Sequence, residues 1–297
     1  TVRVHDPRMY KLRVWYKPKS FVLAHMECGD VSGLIDGKGE QKQVSGEVLG
    51  QVRQVDAIVH VVRAFDDSAV PHVLDSIDPR RDMGETTSEL LFADLAQCET
   101  KVKKLRGQVM RASKTQEQEK KELALLERLL VVLESGKPVT EFVTANDDER
   151  KAIAAFQFIT AKPIMTVFNV GEGDLGPGGK AEQLEKEFPG SIALCAKLES
   201  ELSQLPDDER TAFLQDLGIK EAAAPRLVHM VYQDMGLLSF FTVGEDEVRA
   251  WTIHSGDNAQ QAAGKIHSDL AKGFVRAEVF AFADLDAAGG DERTMKP

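Results

Sequence analysis

Pro163-Ile164-Met165-Thr166-Val167-Phe168-Asn169-Val170-Gly171-Glu172 is the stretch whose reading decides the fold. Its first half is a short apolar run with one β-branched residue in every few. Its second half turns abruptly polar at Asn169 and passes through Gly171. A short apolar run that ends in a turn signal reads as a strand covered by other elements. A second run, Ile58-Val59-His60-Val61-Val62, is nearly continuous in β-branched residues. Such a run fits a strand buried on both faces of a parallel sheet, with Val44 to Val52 as the helix before it. The alternation of strand and helix is the α/β signature.

The residues at the strand ends point to nucleotide chemistry. Asn169 stands where a P-loop GTPase reads its base with Asn-Lys-x-Asp, but Val170 replaces the Lys and Glu172 replaces the Asp. The longer carboxylate and the lost Lys stem point to a site retuned away from guanine. Upstream, the strand-like Phe21-Val22-Leu23-Ala24-His25-Met26 runs on to Asp30-Val31-Ser32-Gly33-Leu34. In this Asp-x-x-Gly pattern the Asp reaches Mg²⁺ through a water, and the Gly N–H meets the γ-phosphate, where a side chain would block the approach. The following position ordinarily carries a Gln that orients water; Leu34 cannot do that, so no catalytic residue is assigned.

With these segments on the page, the chain resembles the Obg-like ATPases, the YchF family. The segments that carry the likeness are Asp30 to Leu34, Asp56 to Phe65, Asn169 to Glu172, Glu247-Val248-Arg249-Ala250-Trp251-Thr252, and Ala262 to Asp269. The likeness runs over essentially the whole chain in the family's order. It implies a G-domain-like core, mostly parallel, over residues 1–85 and 151–236. A helical coiled-coil insert over 86–150 and a TGS-like β-grasp domain over 237–297, itself incomplete, complete the plan. It implies ATP as ligand, Mg²⁺ as cofactor through Asp30, and a cytoplasmic protein. The implied partner is the ribosome, at the large subunit or the intersubunit region, met through the TGS module and the helical arm. It also places the second base-contacting loop at Cys195-Ala196-Lys197.

Four departures from the family bear on function. No Gly-x-x-x-x-Gly-Lys-Ser/Thr occurs in the 297 residues, and that loop is what wraps phosphates. The opening Val2-Arg3-Val4-His5-Asp6-Pro7-Arg8 resembles the family's second strand, which sets the first strand, P-loop, first helix and switch I before Thr1. The polar end from Ala287 to Pro297 implies further strands beyond it. The segment from Ile35 to Leu49 carries Lys38, Gln41, Gln43, Ser45 and Gly46 in place of a glycine-rich run. The alternative reading is therefore a non-catalytic scaffold on a decayed nucleotidase frame, with this chain alone inactive.

Composition narrows the classes further. The net charge of −11 disfavours indiscriminate binding to nucleic-acid phosphates and leaves sequence-specific DNA out of the expected partners. Cys28, Cys98 and Cys195 have neither metal spacing nor an even count for a disulfide framework. No apolar run approaches the roughly 20 residues that span a bilayer.

From Thr86 to Glu134 the apolar period becomes helical, with Leu90, Leu91, Leu95, Val102, Leu105 and Val109, then Leu123, Leu126, Leu129, Leu130 and Leu133. This reads as an antiparallel hairpin, its first helix capped by Thr87 or Ser88 and its second ended by Gly136 and Pro138. In the last module, Gln260 to Lys272 reads as a helix and Val275 to Phe282 as a strand. Arg249, Trp251, Lys265 and His267 are candidates for an RNA- or protein-facing surface, with Trp251 more often core.

Overall fold

The structure is a computed structural model. It describes residues 1–31, 45–72, 74–111, 114–217, 219 and 221–291. Gly33 and Leu34, two residues of the expected phosphate-sensing element, lie outside the described residues. The chain divides into two compact units, Thr1–Gly29 with the chain from Ala224 onward, and Asp30–Ala223.

The first unit begins with β1 (Val2–Arg3), α1 (Pro7–Tyr16), β2 (Ser20–Val22) and β3 (His25–Met26). Asp6 caps α1 by accepting the Arg8 N–H at 2.9 Å, and Pro7 supplies a first position that needs no donor. Lys17 ends the helix with φ of 45°.

The second unit holds α2 (Gly46–Val52), β4 (Ile58–Arg63), α3 (Pro79–Gln108), α4 (Gln116–Glu134), α5 (Asp147–Ala155) and β5 (Ile164–Asn169). It continues with α6 (Lys180–Glu187), β6 (Ile192–Leu194), α7 (Ala196–Leu202) and α8 (Asp207–Asp216). Strands β4, β5 and β6 form a parallel sheet in that order. Parallel neighbours need crossovers, and here helices supply them. The even positions of β4 are covered: Ile58 packs with Val52, Leu90 and Ile159, and Val62 with Phe168, Ala181 and Leu184. The odd positions are not, since Val59 is 38% and Val61 61% exposed. The expectation of a strand buried on both faces thus holds for one face of β4. The helices that pack on β4, α3 and α6, lie on that face, while the opposite face is covered at the neighbouring Met165 and Val167 of β5 but not at Val59 and Val61.

Helices α3 and α4 form the expected hairpin, sealed by Cys98, Val102 and Leu105 against Leu125, Leu126, Leu129 and Leu133. Its start differs from the sequence reading. Asp78 caps α3 by accepting the Arg81 N–H at 3.1 Å, with Pro79 next. Thr87 and Ser88 sit inside the helix, where their hydroxyls donate to the Met83 and Gly84 carbonyls at 2.9 and 2.8 Å. A hydroxyl can satisfy itself one turn back as readily as at a cap. Gly136, at φ of 79°, stands just past the end of α4.

The first unit resumes with α9 (Ala223–Asp234), β7 (Leu237–Thr242), β8 (Glu247–His254), α10 (Ala259–Ile266), α11 (Ser268–Lys272) and α12 (Phe282–Ala287). β7 and β8 pair antiparallel, and β2 adds parallel to the other edge of β8. The stretch Phe21 to Met26, read from sequence as sheet strand leading to Asp30, therefore pairs with β8 and β1. Its Phe21 and Leu23 pack with Met9, Leu12, Val228 and Val248.

Two other readings are corrected here. The single helix from Gln260 to Lys272 breaks at His267, whose extended backbone and ring Nδ1, accepting the Asp269 N–H at 3.1 Å, start a new helix. The strand expected from Val275 to Phe282 is irregular up to Ala281, with Val275 and Val279 exposed. Alternating apolar residues form a strand only where a neighbouring edge pairs with them, and among the described residues none does.

Candidate functional site

Ligands of open parallel sheets sit in the crevice beyond the carboxyl ends of the strands. Here the register sets Arg63, Asn169 and Leu194 in one row at those ends. The row is fastened across its backbone. Ala64 donates to the Asn169 carbonyl at 2.7 Å, and Val170 donates to the Leu194 carbonyl at 2.8 Å. Lys180, at the start of α6, donates from Nζ to the Ala64 carbonyl at 2.5 Å.

Asn169 then does something further. The backbone N–H of Ala196 donates to its Oδ1 at 2.9 Å. An N–H can meet only the oxygen of the amide, so this contact fixes which way the group points and turns Nδ2 away from α7 as a donor. Among the described residues that Nδ2 has no partner. Ala196 opens α7, with Cys195 at the cap position. The base-contacting loop of the sequence reading is therefore joined to Asn169 by a hydrogen bond.

The remaining predicted residues divide by burial. Val170 is 1% exposed and packs with Val62, Phe168 and Ala181. Cys195 is buried against Leu198 and Leu202. Glu172, Ala196 and Lys197 are exposed. Glu172 begins a 3-10 turn, Glu172–Asp174, whose Asp174 carboxylate accepts the Gly171 N–H at 3.1 Å. That contact fixes the turn, while the Glu172 carboxylate has no partner among the described residues. Asp30 is exposed and likewise unpaired among them. No group of three or more His, Cys, Asp or Glu that could hold a metal occurs among the described residues. A lone carboxylate suits a magnesium ion that brings its own waters and phosphate oxygens, and no more than that.

The loop after the site is shaped by Gly179. A Cβ there would meet the Asp174 carbonyl oxygen at 2.3 Å, so the chain can pass only without a side chain. Sequence reasoning assigned no role to Arg63 or Lys180. The Arg63 guanidinium ties down the following loop through the carbonyls of Phe65, Asp67 and Val70, at 3.2, 3.3 and 2.8 Å. The available signal was position: each is a cation just past an apolar strand or at a helix start, on the side where ligands sit.

At the other end of the sheet lies a buried polar joint. Asp94, on α3, has no exposed surface. Its carboxylate accepts the N–H groups of Ile159 and Thr160 at 2.9 and 2.7 Å and the Thr160 hydroxyl at 2.8 Å. Arg53, just past α2, pairs with it at 3.2 Å. Lys162 donates to the carbonyls of Val52 and Arg53 at 2.9 and 2.5 Å, and burial holds its pKa below the ordinary lysine value. Arg53 and Lys162 together fasten the end of α2 to the root of the hairpin and the entry to β5.

A parallel sheet whose carboxyl ends carry an oriented Asn, with a helical hairpin inserted between its strands, defines the mixed α/β fold of the P-loop nucleoside triphosphatases. Comparison with known proteins narrows the class. The YchF-GTPase_C family, described as a protein of unknown function (DUF933), matches residues 237–297. A ribosome-binding ATPase YchF of Bacillus subtilis (strain 168) is 37% identical over 97% of this chain and 80% of its own length. One of Escherichia coli O157:H7 is 34% identical over 98% of this chain and 80% of its own. The solved structure of the Schizosaccharomyces pombe YchF GTPase matches with a TM-score of 0.84 at 32% identity, covering 99% of this chain and 80% of that one. The chain belongs to the YchF family.

Proposed function

We propose that this protein is a nucleotide-dependent switch that binds and hydrolyses ATP in preference to GTP and works on the ribosome. The observation that carries the reading is Asn169, whose Oδ1 is held by the Ala196 N–H at 2.9 Å while its Nδ2 stays available as a donor to a purine. Glu172, exposed and three residues on, takes the place of the guanine-reading Asp and tolerates adenine. Val170 backs the base from within the apolar cluster. Cys195, Ala196 and Lys197 form the second edge of the base site. Asp30 meets Mg²⁺ through water, and Gly33 senses the γ-phosphate. Magnesium, when bound, neutralises phosphate charge; Asp30 is the group this chain offers it.

In this reading residues 1–85 and 151–236 serve as the nucleotide-responsive core, 86–150 as an interaction arm and 237–297 as a TGS-like module. The arm and module meet the ribosome in the cytoplasm. The relatives named as ribosome-binding ATPases support the ribosome as partner and ATP as substrate. No helix among the described residues is long and apolar enough to cross a membrane.

The test is calorimetric titration of ATP and GTP, each with Mg²⁺, into the whole gene product and its Asn169→Ala variant. Tighter ATP binding that weakens in the variant is the expected result. GTP binding much more tightly than ATP would overturn the specificity. Binding of neither would favour the scaffold reading, which the lack of a Gly-x-x-x-x-Gly-Lys-Ser/Thr in these 297 residues motivates.

A further inference from the structure

The base-reading segment lacks a lysine, and the fold brings one in from another element. Val170 stands where Asn-Lys-x-Asp carries its Lys, and at 1% exposure it is sealed in the apolar cluster rather than laid over the rim. Lys180 opens α6, the helix that carries the chain from β5 to β6. The next residue, Ala181, packs with Val62, Phe168 and Val170, which sets the start of α6 against the ends of β4 and β5. From there the Lys180 Nζ donates to the Ala64 carbonyl at 2.5 Å. The Ala64 N–H in turn donates to the Asn169 carbonyl at 2.7 Å. The ammonium is thus pinned on the residue that pairs with the backbone of Asn169. Its stem crosses from the start of α6 to the end of β4 along the rim that Asn169 occupies.

The choice of partner separates Lys180 from the other charges nearby. Asp174 accepts the Gly171 N–H, and Glu182 accepts the Gly178 N–H at 2.6 Å and pairs with Lys186 at 2.5 Å. Lys180 has no acidic partner among the described residues. An ammonium held by a neutral carbonyl keeps its other donors free, and what the contact fixes is the path of the side chain. A lysine so held lays its methylenes along an apolar surface while its head stays in a polar setting. Lys180 is half-buried, as that arrangement requires.

We propose that Lys180 covers the purine: its methylene stem, pinned at the Ala64 carbonyl, lies over the face of the base that the Lys of Asn-Lys-x-Asp would cover. The inference rests on the nucleotide reading above and deepens it. A methylene stem offers a ring face neither donor nor acceptor, so it supports adenine and guanine alike. The choice between the two bases stays with Glu172.

The experiment is calorimetric titration of ATP, GTP and inorganic tripolyphosphate, each with Mg²⁺, into the whole gene product and its Lys180 variants. Lys180→Ala should weaken ATP and GTP by the same factor, about tenfold, the loss that about two uncovered methylenes supply. Tripolyphosphate, which has no base, should bind as in the parent. Lys180→Met keeps an unbranched apolar stem and should lose less than Lys180→Ala. Lys180→Arg keeps both stem and anchor and should stay closest to the parent. Without nucleotide, each variant should show the circular dichroism of the parent.

Lys180→Ala binding ATP like the parent overturns the proposal. So does an equal loss for tripolyphosphate, which would place the effect at the phosphates or in the fold. A loss in Lys180→Met as large as in Lys180→Ala also overturns it, by crediting the charge rather than the stem. A changed ATP-to-GTP ratio in Lys180→Ala would do the same, since a stem over a ring face does not choose between purines. A parent that binds no ATP brings down the nucleotide reading and this inference with it. A parent that binds ATP, with Lys180→Ala unimpaired, brings down the role of Lys180 alone.

Discussion

The sheet of the second unit has polar chemistry at both ends, arranged in opposite ways. At the root of the hairpin, Asp94 is wholly buried and its two oxygens receive two backbone N–H groups, a hydroxyl and a guanidinium. At the carboxyl ends of the strands, Asn169 spends its oxygen on Ala196 and keeps its Nδ2 unspent among the described residues, while the Glu172 carboxylate stands in solvent. A buried polar group must be satisfied by the protein, because an orphaned one costs about 1–3 kcal/mol, and more when charged. A polar group at a rim can stay unsatisfied because water serves it until something else arrives. The saturated end is therefore structural, and the end with spare valence is where a ligand would be read.

Substitutions can break this comparison, beginning with the largest effect. Asp94→Ala orphans two backbone donors and leaves Arg53 with carbonyl acceptors but no carboxylate; removing one partner of a buried pair costs about 3–5 kcal/mol. Urea unfolding of the second unit should show that loss, and a loss under 1 kcal/mol would mean the joint is not the structural end. Asn169→Ala should do the reverse: about 1 kcal/mol of stability for one hydrogen bond, but about tenfold or more in ATP affinity by calorimetry. Comparable losses at both ends would erase the distinction.

Glu172→Asp sharpens it further. Restoring the shorter carboxylate should move the ATP-to-GTP affinity ratio toward GTP by a few-fold, about 1 kcal/mol on the usual scale, with the melting temperature unchanged. A shift in stability without a shift in selectivity would assign Glu172 to the fold.

A pH titration probes the covered face of the sheet between the two ends. Burial holds His60 below its ordinary 6.5, with Asp82 opposing. The folded state therefore favours neutral His60. As pH falls below 6.5 the unfolded chain takes up the proton first, so stability declines until the folded pKa is reached. The His60→Gln variant should show a flatter urea midpoint across that acidic window than the parent; an identical slope would remove His60 from the account. Smallest of all is Lys186→Ala. Its partner Glu182 has its pKa lowered first by that contact and then by the Gly178 N–H, but the pair lies in solvent on α6. Thermal melting should not register the change.

Much of this was legible in the sequence, and the physical reason is locality. Asn169 could be placed at a strand end because an apolar run and a glycine bracket it. The hairpin could be read because Leu126, Leu129 and Leu133 repeat at helical spacing on one stripe. What stayed hidden depended on partners far along the chain. Asp94 sits among Leu91, Leu95 and Cys98 as one more charge on a helix, and only the arrival of Ile159 and Thr160, more than sixty residues later, makes it a joint. The pairing of β2 with β8 likewise joins Phe21 to Val248, and nothing in either strand alone names the other. Val275 to Phe282 shows the converse, a strand-like pattern that finds no edge.

The joint at Asp94 also has a mechanical meaning. Helix α3 runs 30 residues, and 14 of them lie beyond Asp94 toward its end at Gln108, about 21 Å of rigid helix at 1.5 Å per residue. With its fulcrum clamped at Asp94 the hairpin is a lever: a tilt of about 10° at the root carries the tip nearly 4 Å on that length. The gain is set by where along α3 the buried carboxylate falls, so moving Asp94 by one turn toward the tip would shorten the stroke by about a quarter.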